Sequence, residues 1–214
     1  MIELKGKFFL KLITLNQGAF RVNNYILFDE DTKEAVLIDA GGDFIETRKT
    51  LESLGAELKF ILNTHAHMDH IAGDEEIQRN FNIPIFMHQD DAILIKAFKE
   101  SLRMFGMPDY EPPENVTFIQ DGHVFKLGNH EIKTIHTPGH TKGGVSYLVE
   151  DMLFSGDTLF YESIGRTDLY GGNYNQLISS IREKLYILPD ETKVYPGHGI
   201  STTIAHEKEC NAYV

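Results

Sequence analysis

Cysteine is almost absent from this 214-residue chain, and Cys210 is the only one. One thiol cannot build an internal disulfide framework, a Cys-rich zinc ribbon or an Fe–S site, so a reducing cytoplasm is the default setting. Long hydrophobic runs are lacking as well, and no segment approaches the ~20 apolar residues that cross a bilayer. The opening "MIELKGKFFLKLITL" has lysines and an apolar stretch, but Lys11 interrupts it. No small-residue cleavage site precedes the polar "NQG", so the segment reads as a strand and not as a signal peptide. Positive charge is scarce: 20 Lys and Arg stand against 32 Asp and Glu, for a net charge of −12. That balance argues against a general nucleic-acid or anionic-membrane binder, since nothing would neutralise phosphates over a broad face. It leaves room for a local basic pocket that grips a small anion. No Gly/Ser linker, low-complexity tract or strict repeat divides the chain, and one domain over residues 1–214 is the expectation.

What is present suffices for a sizeable core, with 42% hydrophobic and 24% charged residues. Three strand-like segments come first, "FFLKLITL", "NNYILFD" and "EAVLIDAG", separated by turn residues. "GDFIETRKTLESLG" predicts a helix with apolar positions Ile45, Leu51 and Leu54 and a stop at Gly55. "LKFILN" then predicts a buried strand, "HIAGDEEIQRNF" a helix and "IPIFMH" another strand. This alternation is that of an α/β protein. Over about residues 90–115 the pattern changes to a helix followed by a Pro-rich loop. Its methionines, with Phe98, Phe105 and Tyr110, either line a pocket as a lid-like insertion or pack on the core, the commoner meaning of such a stripe. Strand patterns return in "VTFIQ", "HVFKLG", "HEIKTIHTPG" and "VSYLVEDMLFSGD". A helix, "YNQLISSIREKLYIL", a last strand, "KVYPGHG", and a helical tail, "STTIAHEKECNAYV", complete the chain.

Histidine is where the sequence is unusual. "NTHAHMDHIAG", Asn63 to Gly73, carries His65, His67, Asp69 and His70. Imidazole has modest helix propensity and no special turn role, so local structure gives no reason for the crowding. A strand end is a rigid platform, and the loop after it can aim several side chains at one point. His-x-His spacing lets two imidazoles converge, while Asp69 and His70 can turn to a second centre as a helix begins. Imidazole and carboxylate suit zinc and other divalent transition metals. The bland alternative is a solvated polar loop. It loses ground because similar punctuation recurs: "TPGHT" holds His140, "SGDTLF" holds Asp157 and "YPGHG" holds His198. Each sets a ligand-type residue at a strand end with glycine beside it, where backbone can approach closely.

These motifs, in this order and spacing, resemble the metallo-β-lactamase superfamily over nearly the whole chain, through a His-x-His-x-Asp-His loop followed by separated His, Asp and His. The resemblance implies an α/β fold of the αβ/βα four-layer type, two mixed β-sheets flanked by helices, with metals at one edge. It implies that His65, His67 and His140 hold a first divalent metal, that Asp69, His70 and His198 hold a second, and that Asp157 bridges them. Zinc is the first expectation for both, with iron or manganese as alternatives. Asp69, and aspartate instead of cysteine as the bridge, are unlike the antibiotic-hydrolysing class B enzymes. His67 stands where flavodiiron-type members carry Glu. Within the superfamily, "GDTLF", "GRTDL" and "PGHG…TTI…EK…N" look like glyoxalase II and its single-domain relatives, the hydroxyacylglutathione hydrolases. Two features depart from the longer glyoxalase II: the chain ends soon after His198, and "GRTD", Arg166 to Asp168, replaces its glutathione-contacting segment.

Two cations sharing a water lower its pKa towards neutrality, which implies a metal-bridging hydroxide at pH 7. That species attacks a carbonyl while a metal stabilises the oxyanion. A thiol of pKa about 8.5 leaves as thiolate without a dedicated acid, so an acyl-thiol such as S-acyl-glutathione is the expected small-molecule substrate, with no nucleic acid and no membrane as partner. Ester or lactone hydrolysis is also compatible. Asp69 is a ligand to which proton transfer is also open. Arg166 and Lys142 are the cationic candidates for a substrate carboxylate. The competing readings are an Arg166–Asp168 ion pair and a solvated Lys142. Of the remaining histidines, His136 is expected to support or pack rather than to ligate. The closest rival is a persulfide dioxygenase using one iron, which "GRTD" also resembles. Nucleases of the same fold are a third class, disfavoured by the acidic balance.

Overall fold

The computed structural model describes residues 10–42 and 44–214. Phe8 and Phe9, at the head of the expected first strand, lie outside the described residues, as does Asp43 before the first helix. Among the described residues, one six-stranded sheet runs in chain order through β1 (Leu10–Gln17), β2 (Val22–Asp29), β3 (Glu34–Ile38), β4 (Glu57–Leu62), β5 (Ile85–His88) and β6 (Thr117–Ile119). The hairpin-linked β1, β2 and β3 pair antiparallel, while β3 to β6 pair parallel. Parallel neighbours need crossovers. Helix α1 (Phe44–Leu54) supplies the first, and α2 (Met68–Ile71) with α3 (Asp74–Phe81) the second. The other large sheet holds β7 (Val124–Leu127), β8 (His130–His136), β9 (Val145–Val149) and β10 (Met152–Gly156). A two-stranded ribbon of β11 (Leu159–Phe160) and β12 (Ser163–Ile164) follows, and then β13 (Lys193–Pro196) and β14 (Thr202–Thr203) complete that second sheet in the order β14-β13-β10-β9-β8-β7.

Strand alternation builds the layers. In β2, Tyr25 and Leu27 face the other sheet while Ile26 and Phe28 face the helices. Val36 and Ile38 against Ala35 and Leu37 do the same in β3. Period-2 geometry forces this division, and strands covered on both faces carry apolar residues on both. From the second sheet, Val145, Tyr147, Val149 and Phe154 complete the central layer. Helices α4 (Ala92–Lys96) and α5 (Phe98–Met104) lie between β5 and β6 in the chain. On the far side, Leu153 and Val194 pack outward against Leu177 of α6 (Tyr174–Ser180), Ile181 of the π-helical turn Ile181–Leu185 and Ile204 of α7 (Ile204–Cys210). The result is the expected αβ/βα sandwich.

Most expected elements are present, with local differences. Gly55 sits at φ 62 and ends α1 as expected, but Ile45 is on the outer face, 52% exposed, while Phe44, Thr47 and Leu51 are buried. The helix expected after residue 90 is two short ones, α4 and α5, joined at Ala97. Phe98 is in the core beside them, whereas Phe105 is exposed. "VSYLVEDMLFSGD" folds as the β9–β10 hairpin. Among the described residues no helix is long and apolar enough to cross a membrane.

The His-bearing loop is closed at its base. Asn63, at the end of β4, donates from Nδ2 to Oδ2 of Asp74, the first residue of α3. Tyr147 Oη donates to the Asn63 carbonyl at 2.9 Å, tying the same point to the second sheet. Asn63 and Asp74 are fully buried, and Asn63 Oδ1 and Asp74 Oδ1 have no hydrogen-bond partner. Burial holds the Asp74 carboxyl well above its usual range, with the Asn63 hydrogen bond opposing and Asp39 reinforcing the shift. A protonated Asp74 keeps the Asn63 hydrogen bond without placing an uncompensated charge in this dry site. The unfolded chain ionises this carboxyl near pH 4, so folded-state stability falls as pH rises above about 4. Asp74→Asn is therefore expected to unfold at higher urea than the parent at pH 8, with the gap closing towards pH 4. A gap that widens on acidification would contradict the neutral pair.

Candidate metal centre

Four chain segments bring the site together at one edge of the sandwich, each leaving the end of a strand. The loop after β4 brings His65 and His67, and the short α2 that follows brings Asp69 and His70. His140 follows β8, Asp157 follows β10 and His198 follows β13. All seven sequence-predicted donors converge. His65, His67 and His140 offer ligand atoms within 4.8 Å of one another, as do Asp69, His70 and His198, and His65, His70 and Asp157. Asp157 spans the two halves: Oδ1 is 3.4 Å from His70 Nε2, while Oδ2 is 3.5 Å from His140 Nε2 and 3.7 Å from His198 Nε2.

The outer nitrogens fix which face each ring presents. His140 Nδ1 donates to the Arg166 carbonyl at 2.7 Å and His198 Nδ1 to the Phe20 carbonyl at 3.1 Å. A carbonyl only accepts, so the proton sits outside and Nε2 faces inward with its lone pair. His70 Nδ1 is held at 2.8 Å by Asp39 Oδ2, and His65 Nδ1 lies 3.1 Å from Thr64 Oγ1, itself a donor to Asp39. The inward atoms crowd: His67 Nδ1 lies 2.9 Å from His140 Nε2, and His70 Nε2 lies 3.3 Å from His198 Nε2.

Electrostatics separate the groups. Burial, with His70 and His67 beside it, pushes His65 well below the usual histidine range. Burial and His140 bring His67 down to about 3. Both rings are therefore neutral donors at pH 7. Burial opposes charge on His70, but Asp39, Asp157 and Asp69 together hold it well above the ordinary value. Burial likewise opposes ionisation of Asp157 and Asp69, and the surrounding histidines outweigh it, keeping both carboxyls low.

These residues fit divalent metals on the structure's own terms. His65 Nε2 and Asp157 Oδ1 are buried with no hydrogen-bond partner, and orphaned buried acceptors of this kind call for a cation. A Cβ on Gly197 would lie 2.3 Å from Asp157 Oδ1 and 2.6 Å from His70 Cε1, so only glycine lets this backbone close the donor cage. Imidazole and carboxylate together suit zinc, iron or manganese.

A profile of the metallo-beta-lactamase superfamily matches residues 18–198. The chain belongs to that superfamily. Hydroxyacylglutathione hydrolase GloC of Haemophilus influenzae is 36% identical over 201 residues, which cover 92% of this chain and 94% of that protein. Among solved structures, BLEG-1, a B3 metallo-beta-lactamase, has a TM-score of 0.86 at 36% identity, covering 95% of this chain and 99% of that one. TTHA1623 in a di-iron-bound form has a TM-score of 0.86 at 31% identity, covering 94% and 100%. A metallo-beta-lactamase superfamily hydrolase is thus the class of this protein, and relatives of different stated activity share its fold.

The two proposed cations have protein partners of their own. Arg166 Nε and Nη2 pair with both oxygens of Asp168 at 2.7 Å, and that ion pair holds the Asp168 carboxyl at about 2. What Arg166 gives the centre is its carbonyl. Lys142 Nζ lies 5.9 Å over the Tyr170 ring. His136 stacks on His88 at 4.1 Å and donates from Nε2 to the Lys142 carbonyl at 2.9 Å, so it packs as expected.

Two supporting aspartates were missed by sequence reasoning. Asp39, in "LIDAG", follows β3 with φ 56 and holds His70 and Thr64. Its place at a strand end before glycine matches the punctuation of the donors and was a usable signal. Asp91 gave none. It is buried and accepts from Ala66 N at 3.0 Å, Thr141 Oγ1 at 2.9 Å and Gly143 N at 2.7 Å. Ala66 lies between His65 and His67, and Thr141 follows His140, so one carboxylate clamps both loops of the first donor group. Outer supports of this kind are worth roughly 10- to 100-fold in metal affinity. Asp91→Asn, which turns one acceptor into a donor, is expected to weaken metal retention about tenfold in a chelator competition. Retention equal to the parent would show that the clamp is not needed.

Proposed function

We propose that the protein hydrolyses acyl-thiols, in the manner of a glyoxalase II-like thioesterase. The observation that carries this reading is the position of Asp157, whose carboxylate lies between the two donor groups, near His140 of the first and near His70 and His198 of the second, which favours two metals over one. His65, His67, His140 and Asp157 would hold the first, and Asp69, His70, His198 and Asp157 the second. When bound, such a pair supplies a water ionised near neutral pH and a Lewis acid for the carbonyl oxygen.

The chain's own residues define the rest. Asp69 lines the cavity and is kept ionised by His70 and His198 against its burial, which suits it to a ligand's role, and its place in the cavity leaves proton transfer open to it as well. Outside the donors, the titratable groups lining that cavity are Arg166, paired with Asp168, and Tyr170, whose ring lies under Lys142. Among the described residues lining the cavity, no carboxylic acid or imidazole other than the donors stands ready for a leaving group. A thiolate, with a conjugate acid of pKa about 8.5, needs none, whereas an alkoxide does. The 36% identity to a hydroxyacylglutathione hydrolase supports the same reaction class. Zinc is the proposed metal, and the di-iron form of TTHA1623 keeps iron in view.

Two measurements test this. The metal-loaded protein is expected to release free thiol from acyl-thiol substrates, and a well-folded, loaded preparation that cleaves none would sink the proposal. His67→Ala and Asp157→Ala are each expected to abolish stoichiometric metal uptake and turnover together. Either variant acting at the parent rate would rule out the ligand assignment. Uptake of one iron per chain with oxygen consumption would move the assignment to the persulfide dioxygenase reading.

A further inference from the structure

A cavity of about 550 Å3 opens over Asp69, Asp157 and His198, and one side of it is apolar. Phe20 enters from the β1–β2 turn, Leu94 from α4, and Met104 and Phe105 from the end of α5. The Phe20 and Phe105 rings meet edge to face, with centroids 6.2 Å apart. Phe20, Met104 and Phe105 are nevertheless 40%, 74% and 39% exposed. A cluster of large apolar side chains left in water at the mouth of a reaction centre is a binding surface awaiting apolar cover. It is continuous with that centre, because the Phe20 carbonyl that begins this wall also holds His198 Nδ1.

The charges point the same way. Among the described residues lining the cavity, Arg166 is the one Lys or Arg, and Asp168 occupies its guanidinium at two points. Glutathione carries a carboxylate at each end, and such groups are recognised by unengaged cations or convergent donors. Here they would meet an engaged arginine and a wall of hydrocarbon.

We propose that this wall binds an unbranched apolar chain next to the scissile carbonyl, so that the substrates are lipophilic thioesters and not S-acyl-glutathione. The reaction rests on the thioesterase reading above, whereas the binding preference does not. Burying a methylene against such a surface is worth roughly three- to fourfold in affinity. Calorimetry on the metal-loaded full chain, with non-hydrolysable S-alkyl-N-acetylcysteamines from ethyl to octyl, is expected to show that increment per methylene. S-methylglutathione is expected to bind more weakly than the octyl compound. Replacing Met104 and Phe105 by alanine, both exposed and so of small consequence for folding, is expected to cut the octyl-to-ethyl affinity ratio at least tenfold. No dependence on chain length, an unchanged ratio in the double variant, or tighter binding of S-methylglutathione would each overturn the proposal. Turnover of S-octanoyl-N-acetylcysteamine against S-octyl thioacetate then tells whether the acyl or the thiol half lies on the wall. If the alkyl series binds with the expected slope but no thioester is cleaved, the apolar site stands and the thioesterase reading falls.

Discussion

Five imidazoles within reach of one another can offer lone pairs to one shared point only if their remaining protons face away from it. Protonated rings would repel at these separations, and His65 and His67 are pushed into the neutral form by burial and by neighbouring imidazoles. Neutral rings still have one N–H each, and its placement decides whether lone pairs or hydrogens meet in the middle. The Phe20 and Arg166 carbonyls fix that choice for His198 and His140. Asp39 and Thr64 serve His70 and His65. Because these acceptors come from segments far apart in the chain, the donor set exists only when both sheets are assembled.

The sandwich can be understood as the frame for those acceptors. Parallel pairing of β3 with β4 brings Asp39 beside Thr64, since the ends of the two strands share a register. The Asn63–Asp74 pair closes the donor loop at its base, and Asp91 ties the middle of that loop to the His140 turn. Buried carboxylates that accept two or three backbone or hydroxyl donors act as rigid staples, because removing one leaves each donor unsatisfied in a dry site. The same rigidity leaves the cavity wall free to differ. Phe20, Met104 and Phe105 sit on a turn and a helix end, outside the buried clusters, where a change alters recognition without disturbing the ligands.

Much of this was legible in the sequence. The seven donors announce themselves because metal chemistry restricts residue type, and strand ends with glycine restrict place. The layered fold follows from the strand and helix patterns together with the family resemblance those motifs carry. Asp91 was illegible because a surface aspartate and a buried staple look alike until the partners at positions 66, 141 and 143 are brought beside it. Arg166 and Lys142 read as exposed cations near a motif, and only the folded chain shows Asp168 and Tyr170 beside them. Ile45 was misplaced by one position on its helix, a shift of about 100° around the axis. The apolar wall joins residues 20 and 105, and no periodicity links two such distant positions.

On the proposed assignment, the inward-facing nitrogens and the Asp157 carboxylate hold a pair of metals. Anomalous diffraction from crystals grown with zinc tests it most directly. The account predicts two peaks in each molecule, one among His65, His67 and His140 and one among Asp69, His70 and His198, with Asp157 touching both. A single peak, or metal bound away from Asp157, would contradict it.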